Sequence, residues 1–337
     1  MRVSVAIATY NRAAEVEKTL LGLSRLDAKG CPEFEILLID NNSSDNTREV
    51  ADRLAPLFGG RLRYVREETQ GLSHARNRAI VEARFEIVAY LDDDVDVDPN
   101  WLDRLCDAYS SGDVAGVGGR AHLVFPGPKP RWLGDSIEGF LTRVELGPNR
   151  RPSGVGELYG VNMSFRKVWL DRIGGFRTDI GRIGNALFGG EDDDVLERVG
   201  TLGGLILYEP GAVVGHRVPH SRLTRKWFWK RCYAGGRSVP RLWPDAQVNG
   251  YQLLRATWHI ALMSWRAALA AFRHGPQSAR CFESLLKVAT RSGIWLGLIG
   301  ELRRDRTKLL SASNSSASPE SLSAPKALVE QLPRAFS

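Results

Sequence analysis

Short apolar runs alternate with amphipathic segments through the first third of the chain. The runs have the length of buried strands and cover residues 3–9, 34–39, 62–65 and 87–91. Between them, apolar residues recur at helical spacing, in segments that cover about residues 16–26, 45–57 and 74–83. Strands that alternate with helices form right-handed βαβ units, so this pattern predicts an α/β fold with a mostly parallel sheet.

Polar residues follow three of these strands at the point where each strand ends. They are Thr9–Arg12, Asp40–Asn42 and Asp92–Asp94. The carboxyl ends of parallel strands meet at one edge of a sheet, where ligands bind. Because alternate residues of a strand share a face, Asp92 and Asp94 are predicted to point the same way and to offer two oxygen ligands to a divalent cation. The alternative for this run is a solvated acidic turn.

The pattern after residue 100 is less regular. A helix is predicted from Asn100, and residues 122–155, which are rich in Gly, Pro and Arg, are predicted to form a long loop that is either a functional lid or an exposed insertion. Strand-like segments follow at 156–166 and 205–214. The second of these places His216 at its end.

A second acidic run, Glu191–Asp194, precedes apolar residues at helical spacing and is predicted to begin a helix. Acidic residues in a first turn complement the helix dipole, but four in succession crowd more charge than capping requires, and a crowded carboxylate suits general-base catalysis. His216 is a candidate metal ligand or a structural histidine. Arg76, on the helix before the first acidic run, is a candidate partner for phosphate or carboxylate.

Composition is ordinary for a globular protein, with 43% apolar and 25% charged residues in 337. The cysteines form no CxxC pair, which favours neither a disulfide framework nor a zinc cluster and indicates a reducing compartment. The chain begins with a strand-like segment rather than a signal peptide, and no apolar stretch reaches the roughly 18–20 residues that span a bilayer. We therefore expect a cytoplasmic protein, peripheral on the cell membrane if it contacts lipid at all.

Charge is unevenly distributed. The net charge is +7, but residues 217–310 carry a net +14, which leaves −7 for the rest of the chain. In this basic section, Lys and Arg alternate with aromatic residues over 222–237, and apolar segments follow at 258–272 and 293–302. Such a section is typical of helices that lie on an anionic membrane, but it is also consistent with helices that pack on the catalytic domain. No nucleic-acid-binding motif accompanies it, so no nucleic acid is expected.

Five segments, in their order along the chain, resemble the motifs of the family-2 glycosyltransferases. They read VAIATYNR, LLIDNNSSDNT, GLSHARNRA, YLDDDV and GEDDDV. The resemblance covers about residues 1–240. It implies a GT-A fold, which is a Rossmann-like, mostly parallel sheet with flanking helices, followed here by a C-terminal α-helical extension. It also implies a catalytic domain over 1–220, with a donor half at about 1–120 and an acceptor half at about 121–220, and then a basic helical extension at 221–310. Residues 311–337 are Ser-rich and are expected to be disordered.

The resemblance also implies roles for individual residues. Asp92 and Asp94 match the DxD motif that holds Mg²⁺ or Mn²⁺, and His216 matches a histidine that completes the metal site in some members. Asp192 matches the catalytic base, with Glu191 as the alternative. The positions that match nucleotide-sugar contacts are Thr9, Tyr10, Arg12, Asp40, Asn42, Arg76, Asp92 and Asp93.

These matches imply a metal-dependent inverting glycosyltransferase that uses a nucleotide-sugar donor, with a UDP-sugar favoured, and a hydroxyl of a glycan or lipid-linked acceptor. Polysaccharide or glycolipid assembly at the cell surface is the expected process. The QxxRW signature of processive synthases is missing, which favours single additions. Two alternatives remain: a sugar-nucleotide pyrophosphorylase, although residues 9–12 lack the glycines of a phosphate loop, and a non-catalytic binding protein on the same fold.

Overall fold

The structure is a computed structural model that describes residues 1–31, 33–110, 112–184, 187, 189–242 and 249–312, with side chains up to residue 303. The chain divides into two units. The first contains Met1–Pro128, Leu141–Ala186 and Glu191–Arg222. The second contains Lys129–Phe140, Leu187–Gly190 and the chain from Leu223 onwards. The predicted tail falls outside the described residues, apart from residues 311 and 312, which end a helix.

The strands of the first unit form one mixed sheet. They are β1 (Arg2–Thr9), β2 (Glu33–Asp40), β3 (Leu62–Arg66), β4 (Ile87–Asp92), β5 (Val95–Val97), β6 (Val114–Val124), β7 (Arg151–Pro152), β8 (Asn162–Arg166) and β9 (Leu205–Arg217). Their order is β3-β2-β1-β4-β8-β6-β9-β5, and β7 pairs with β9.

Helices connect the strands of this unit. They are α1 (Ala13–Leu23), α2 (Thr47–Leu54), α3 (Leu72–Glu82), α4 (Trp101–Tyr109), α5 (Lys167–Arg172) and α6 (Glu191–Thr201). Short 3₁₀ helices cover Ala55–Phe58 and His220–Arg222 of this unit, and another covers Asp135–Leu141, of which all but Leu141 belongs to the second unit. The helices predicted along the first 110 residues are all present within a few residues of their expected bounds.

The first four strands are parallel to one another, as the apolar runs predict. Val3 and Val5 on one face of β1 and Ser4 and Ala6 on the other are all buried, as expected for a parallel sheet that is covered on both faces. The predicted fold class is therefore confirmed. The later strands make the sheet mixed, since β8 is antiparallel to both of its neighbours, β4 and β6.

Strand β6 is the element that the sequence pattern missed, and it corrects the predicted loop over 122–155. It begins at Val114 and runs to Val124, and β7 and a 3₁₀ helix also lie inside the predicted loop. Glycines interrupt the apolar pattern of β6 because its neighbours lie too close for side chains. A Cβ on Gly119 would lie 2.2 Å from Ala212 O, and one on Gly118 would lie 2.4 Å from Leu158 Cδ2.

Two further strands differ in length from their predictions. β8 begins only at Asn162, because residues before it form turns, so the segment predicted from residue 156 is half as long. β9 continues to Arg217 and places His216 within the strand rather than after it. The extension pairs with β5, with Val95 opposite His216, and so holds the histidine beside the acidic run.

The second unit contains the predicted C-terminal helices α7 (Arg225–Leu242), α8 (Gly250–His274) and α9 (Ala279–Ala312). Glycines let α7 and α9 approach closely, since a Cβ on Gly236 would lie 2.2 Å from Thr290 O. Phe228 of α7 is fully buried and packs edge-to-face on Trp132 at 5.5 Å. Within the described residues, no helix is long and apolar enough to cross a membrane.

Candidate active site

The polar residues at the predicted strand ends lie along one edge of the sheet in the first unit. Thr9 of β1 is paired with Asp40 of β2, and Ala8 is paired with Asp92 of β4. Three neighbouring parallel strands therefore end at the same level, with their polar residues side by side. This edge, outside the carboxyl ends of the strands, is where open α/β sheets bind ligands.

Arg12 connects the end of β1 to the acidic run. Its Nη1 donates to Asp93 Oδ1 at 2.5 Å and its Nη2 donates to Asp94 Oδ2 at 2.8 Å. Thr9 Oγ1 donates to the second oxygen of Asp93 at 2.7 Å. The strand alternation that was expected to pair Asp92 with Asp94 does not reach Asp94, because β4 ends at Asp92 and a turn follows. Asp93 and Asp94 share a partner instead.

His216 is fully buried beside Asp94. Its Nδ1 lies 2.8 Å from Leu141 O, a group that can only accept, so Nδ1 donates this hydrogen bond. Its Nε2 accepts from Arg222 Nη1 at 3.3 Å and lies 3.4 Å from Asp94 Oδ1. Metal-ligating histidines are commonly held in this way, by a hydrogen bond from Nδ1 to a backbone carbonyl.

The two buried carboxylates that share Arg12 differ in proton affinity. Burial raises the pKa of Asp93 to about 7, and the charge of Asp94 adds to the effect, although Arg12 opposes both. Burial also opposes ionisation of Asp94, but His216, Arg12 and Arg222 outweigh it and hold the pKa of Asp94 well below its usual range. At neutral pH, Asp94 therefore keeps its negative charge, whereas Asp93 binds its proton much more tightly than an ordinary aspartate does.

Asp40 and Asn42, at the end of β2, already have partners within the chain. Buried Asp40 accepts from Ser43 N at 2.9 Å and from Tyr64 OH at 2.5 Å. Asn42 adopts a left-handed backbone, with φ of 65°, and its Oδ1 accepts from Arg66 Nη2 at 2.5 Å. These contacts hold the turn after β2 in one conformation. Tyr10, also expected at the nucleotide, follows β1 and is half-buried.

Arg76 of α3 contacts the second acidic run, which forms the first turn of α6. Its Nη1 donates to Asp192 Oδ1 at 2.6 Å and lies 3.5 Å from Glu191 Oε1. Gly160 N donates to Asp192 Oδ2 at 2.9 Å, so both oxygens of this carboxylate are oriented. The side chain of Asp192 is 19% exposed, whereas that of Glu191 is 5% exposed and its Oε2 has no hydrogen-bond partner.

The other acidic residues of this run hold the fold together. Asp194 is buried and accepts from Arg198 Nε at 2.9 Å, and Arg198 also donates to Gly175 O at 2.7 Å. Asp193 Oδ1 accepts from Gly156 N at 2.8 Å. Glu191 is different, because burial and the neighbouring Asp192 raise its pKa although Arg76 opposes them. The four acidic residues thus have four different environments.

A family model described as "Glycosyl transferase family 2" matches residues 4–174, which is half of the chain. The chain belongs to this family. It is therefore a glycosyltransferase.

Curated relatives of this glycosyltransferase match most of its length. The succinoglycan biosynthesis protein ExoM of Rhizobium meliloti is 27% identical over 309 residues, which cover 89% of this chain and 94% of the relative. A glucosyl-dolichyl phosphate glucuronosyltransferase of Haloferax volcanii is 25% identical over 254 residues, which cover 73% of this chain and 80% of the relative.

Solved structures with the same fold include the mannosyltransferase PcManGT of Pyrobaculum calidifontis in complex with GDP-Man and Mn²⁺. It superposes with a TM-score of 0.55 at 18% identity and covers 93% of this chain and 79% of its own. TarS 1-349 of S. aureus in complex with UDP superposes with a TM-score of 0.51 at 17% identity, covering 86% of this chain and 90% of its own. These likenesses establish the GT-A fold.

Two buried side chains of the glycosyltransferase, Asp94 and His216, lie close enough together to offer ligand atoms to one divalent cation. Asp94 Oδ1 is buried and accepts no hydrogen bond, which leaves it available as a ligand beside the Nε2 of His216. Among the described residues, no three His, Cys, Asp or Glu side chains converge as a complete metal cage. Mg²⁺ typically sits on one or two carboxylates and takes its other ligands from water and phosphate.

Sequence reasoning missed two residues at these clusters. Arg222, predicted only as part of the basic section, lies with its Nη2 3.8 Å from Asp94 Oδ2, and nothing in its local sequence distinguishes it from its basic neighbours. Gly160 stands where any side chain would collide with Arg76, since a Cβ there would lie 1.9 Å from Arg76 Nη2. An isolated glycine just before a strand was the available signal.

Proposed function

We propose that this family-2 glycosyltransferase transfers a sugar from a nucleoside diphosphate, UDP in preference to GDP, to a hydroxyl of a glycan or lipid-linked acceptor, with inversion. The observation that carries the proposal is the environment of Asp94. This carboxylate is buried at a strand end, stays ionised, and presents one unpaired oxygen beside the Nε2 of a histidine.

The donor would lie along the edge formed by β1, β2 and β4. Thr9, Arg12 and Asp93 form one hydrogen-bonded group there, and Asp40 and Asn42 fix the turn beside them. The role of these residues, with Tyr10, is to hold the base and ribose. Relatives support a nucleotide-sugar donor, because structures with this fold contain GDP-Man or UDP.

Asp92, Asp94 and His216 would hold the Mg²⁺ or Mn²⁺ ion. When bound, the ion supplies charge neutralisation at the leaving diphosphate. The chain prepares for this by keeping Asp94 ionised and by fixing the His216 ring through Leu141 O. The mannosyltransferase with this fold contains Mn²⁺, which supports a divalent cation here.

Asp192 is the proposed general base, and Arg76 is its positioning residue. Asp192 is the more exposed of the two candidates, so it is able to reach an acceptor hydroxyl, whereas Glu191 is buried and holds its proton more tightly. Arg76 and Gly160 N aim the carboxylate. Burial opposes the charge of Arg76, but Asp192, Glu191 and also Asp92 raise the pKa of Arg76, which puts the two acidic runs within electrostatic reach of each other.

The names of two relatives indicate the chemical class of the acceptor. A relative that covers most of the chain is named for succinoglycan biosynthesis, and another is named for a dolichyl phosphate glucoside. Both names support a growing glycan or a lipid-linked sugar as acceptor. The cysteines Cys31, Cys106, Cys232 and Cys281 are buried free thiols, which supports the cytoplasm as the place where this reaction occurs.

The experiment that tests this function is a donor screen with a bacterial lipid extract as acceptor. UDP-sugars and GDP-mannose are incubated with the protein and Mn²⁺, and release of nucleoside diphosphate is measured with and without the extract. We expect acceptor-dependent release from one donor and a product whose anomeric configuration, determined by NMR, is opposite to that of the donor. Retention of configuration would refute the base mechanism, and release from no donor would refute the donor assignment.

A further inference from the structure

Helix α8 of the second unit has one covered face and one exposed face. Ala256, Met263 and Ala267 are buried against the rest of the unit, and Trp295 Nε1 of α9 donates to Thr257 Oγ1 at 3.1 Å. The large apolar side chains on the other face are mostly exposed: Tyr251 by 70%, Leu254 by 72%, Trp258 by 60%, Trp265 by 67% and Phe272 by 89%. We call these five residues the α8 stripe.

The α8 stripe is continuous along the helix. At about 100° per residue, its members fall within a sector of about 60°, on the side opposite the buried residues. Four of them, Tyr251, Trp258, Trp265 and Phe272, recur at intervals of seven residues. Scattered exposed apolar residues need no explanation, but a continuous row of aromatic side chains marks an interaction surface.

Positive charge accompanies the stripe without any compensating negative charge on the helix. Residues 250–274 contain no Asp or Glu. Arg255, Arg266 and Arg273 fall about 80° from the centre of the stripe, all on the same side, so they form a cationic row along one flank. The opposite flank carries small residues.

A cationic cluster on this flank has no anionic partner among the described side chains. It consists of Arg255 and, on α9, Arg291, and His259 lies beside them. Burial lowers the pKa of His259 and of Arg291, and the repulsion of Arg255 lowers both further. His259 Nδ1 is shielded from solvent and has no hydrogen-bond partner. Like charges held together in this way are stabilised when an anion binds between them.

We propose that helix α8 docks lengthwise on an anionic lipid surface, with the α8 stripe in the headgroup region and the arginine row, together with Arg291 of α9, on lipid phosphates. Trp, Tyr and Phe beside Arg on one helix are the side chains that bind membrane interfaces. A second copy of the chain is a poorer occupant, because two α8 helices face to face would bring together only positive charges. The proposal does not depend on the proposed catalytic function.

Co-sedimentation of the full chain with lipid vesicles tests the proposal. Wild-type protein is expected to bind vesicles of phosphatidylcholine with phosphatidylglycerol, to bind pure phosphatidylcholine weakly, and to lose binding as salt rises. The variant Trp258→Ser/Trp265→Ser is expected to bind about tenfold less tightly for each tryptophan removed. Its circular dichroism should be unchanged, because both side chains are exposed. The variant Trp229→Ser, on α7, removes a 41% exposed tryptophan and should bind like wild type.

The charge variant Arg255→Gln/Arg291→Gln tests the lipid phosphates separately. It is expected to weaken binding and to reduce its salt dependence, whereas Lys18→Gln/Lys29→Gln, which removes two exposed charges of the first unit, should do neither. Three results would overturn the proposal. These are no vesicle binding at low salt, binding that survives the loss of both stripe tryptophans, and a wild-type dimer in analytical ultracentrifugation that the stripe variant abolishes. Another segment that covers the stripe would also leave the full chain inert toward vesicles.

Discussion

The two acidic runs of the first unit are nearly the same in sequence but differ in structure. Asp92–Asp94 begins at a strand end and continues in a turn, so Asp93 and Asp94 converge on Arg12. Glu191–Asp194 forms the first turn of α6, where each side chain leaves the helix in a different direction. In the second run, Arg76 contacts Glu191 and Asp192, whereas Asp194 pairs with Arg198 instead.

This difference explains why we assign the runs to different tasks. Around Asp94, His216, Arg12 and Arg222 stabilise the ionised carboxylate. An ionised carboxylate is what a cation requires, and the cation in turn is what a diphosphate requires. In the α6 run, Asp194 is used for packing, and Asp192 is oriented on both oxygens while keeping some exposure. The number of acidic residues in a run is therefore a poor guide to function. The hydrogen-bond donors that contact each carboxylate are a better guide.

The largest effect is expected from Asp192→Asn. Loss of a general base should reduce the rate of transfer by about 10²–10⁴-fold, while nucleotide binding stays within about twofold of wild type. Steady-state rates and calorimetry measure the two quantities. Asp193→Asn is the matched control, because its amide oxygen still accepts from Gly156 N. Equal losses of rate in both variants would contradict the assignment of Asp192.

A smaller loss of transfer rate is expected when the carboxylate of Asp192 is displaced rather than replaced by an amide. Gly160→Ala would push a Cβ into Arg76 and shift the carboxylate that Arg76 holds, so the rate should fall about 10–100-fold with little change in KM. Gly154→Ala is the control, since a Cβ there meets nothing within 4 Å. A normal rate for Gly160→Ala in a folded protein would show that Arg76 does not position the base.

Stability rather than rate should respond to Arg198→Met. The change leaves buried Asp194 without its main partner and should lower the free energy of unfolding by about 3 kcal/mol, with a normal rate per folded molecule. The exposed pair Arg48–Asp52 has the same helical spacing, and Arg48→Met should cost at most about 0.5 kcal/mol in urea denaturation. If the two variants lost similar amounts of unfolding free energy, the Arg198–Asp194 pair would stabilise the fold no more than the exposed Arg48–Asp52 pair does.

The smallest expected effect concerns the pH dependence of stability. The folded protein raises the pKa of Glu191, through burial and Asp192, above its ordinary value of 4.5. Protonation of Glu191 therefore favours folding at low pH, and this contribution is lost as pH rises through the folded pKa. Glu191→Gln has no such loss, so its unfolding free energy relative to wild type should increase between pH 5 and pH 8. A constant difference across that range would contradict the buried environment of Glu191.

The strands of the parallel half could be predicted because both of their faces are covered, which makes each one a short apolar run. β6 could not, since close packing against Leu158 and Asn162 demands glycine and removes the apolar signal. The position of the polar residues along one edge of the sheet could be predicted, because the carboxyl ends of parallel strands meet there. The ion pairs between these residues could not be predicted, because Arg12 and Asp93 are 81 residues apart in the chain.

The burial of side chains in the basic C-terminal section could not be predicted from the sequence either. Its aromatic residues over 227–229 drew attention in the sequence, yet Phe228 is fully buried and packs with Trp132 and Phe282. The exposed aromatic row lies on α8 instead. Periodicity indicates which positions share a helix face, but only tertiary packing decides which face is covered.

Calorimetric titration of UDP and of GDP, with and without Mn²⁺, is the most direct test of the donor site at Asp94. We expect one nucleotide to bind wild-type protein only with Mn²⁺, and its affinity to fall by about tenfold or more in Asp94→Ala. Asp96→Ala, which removes a 56% exposed carboxylate two residues away, should bind like wild type. Metal-independent binding that Asp94→Ala leaves unchanged, or no binding of either nucleotide with Mn²⁺ present, would contradict the site.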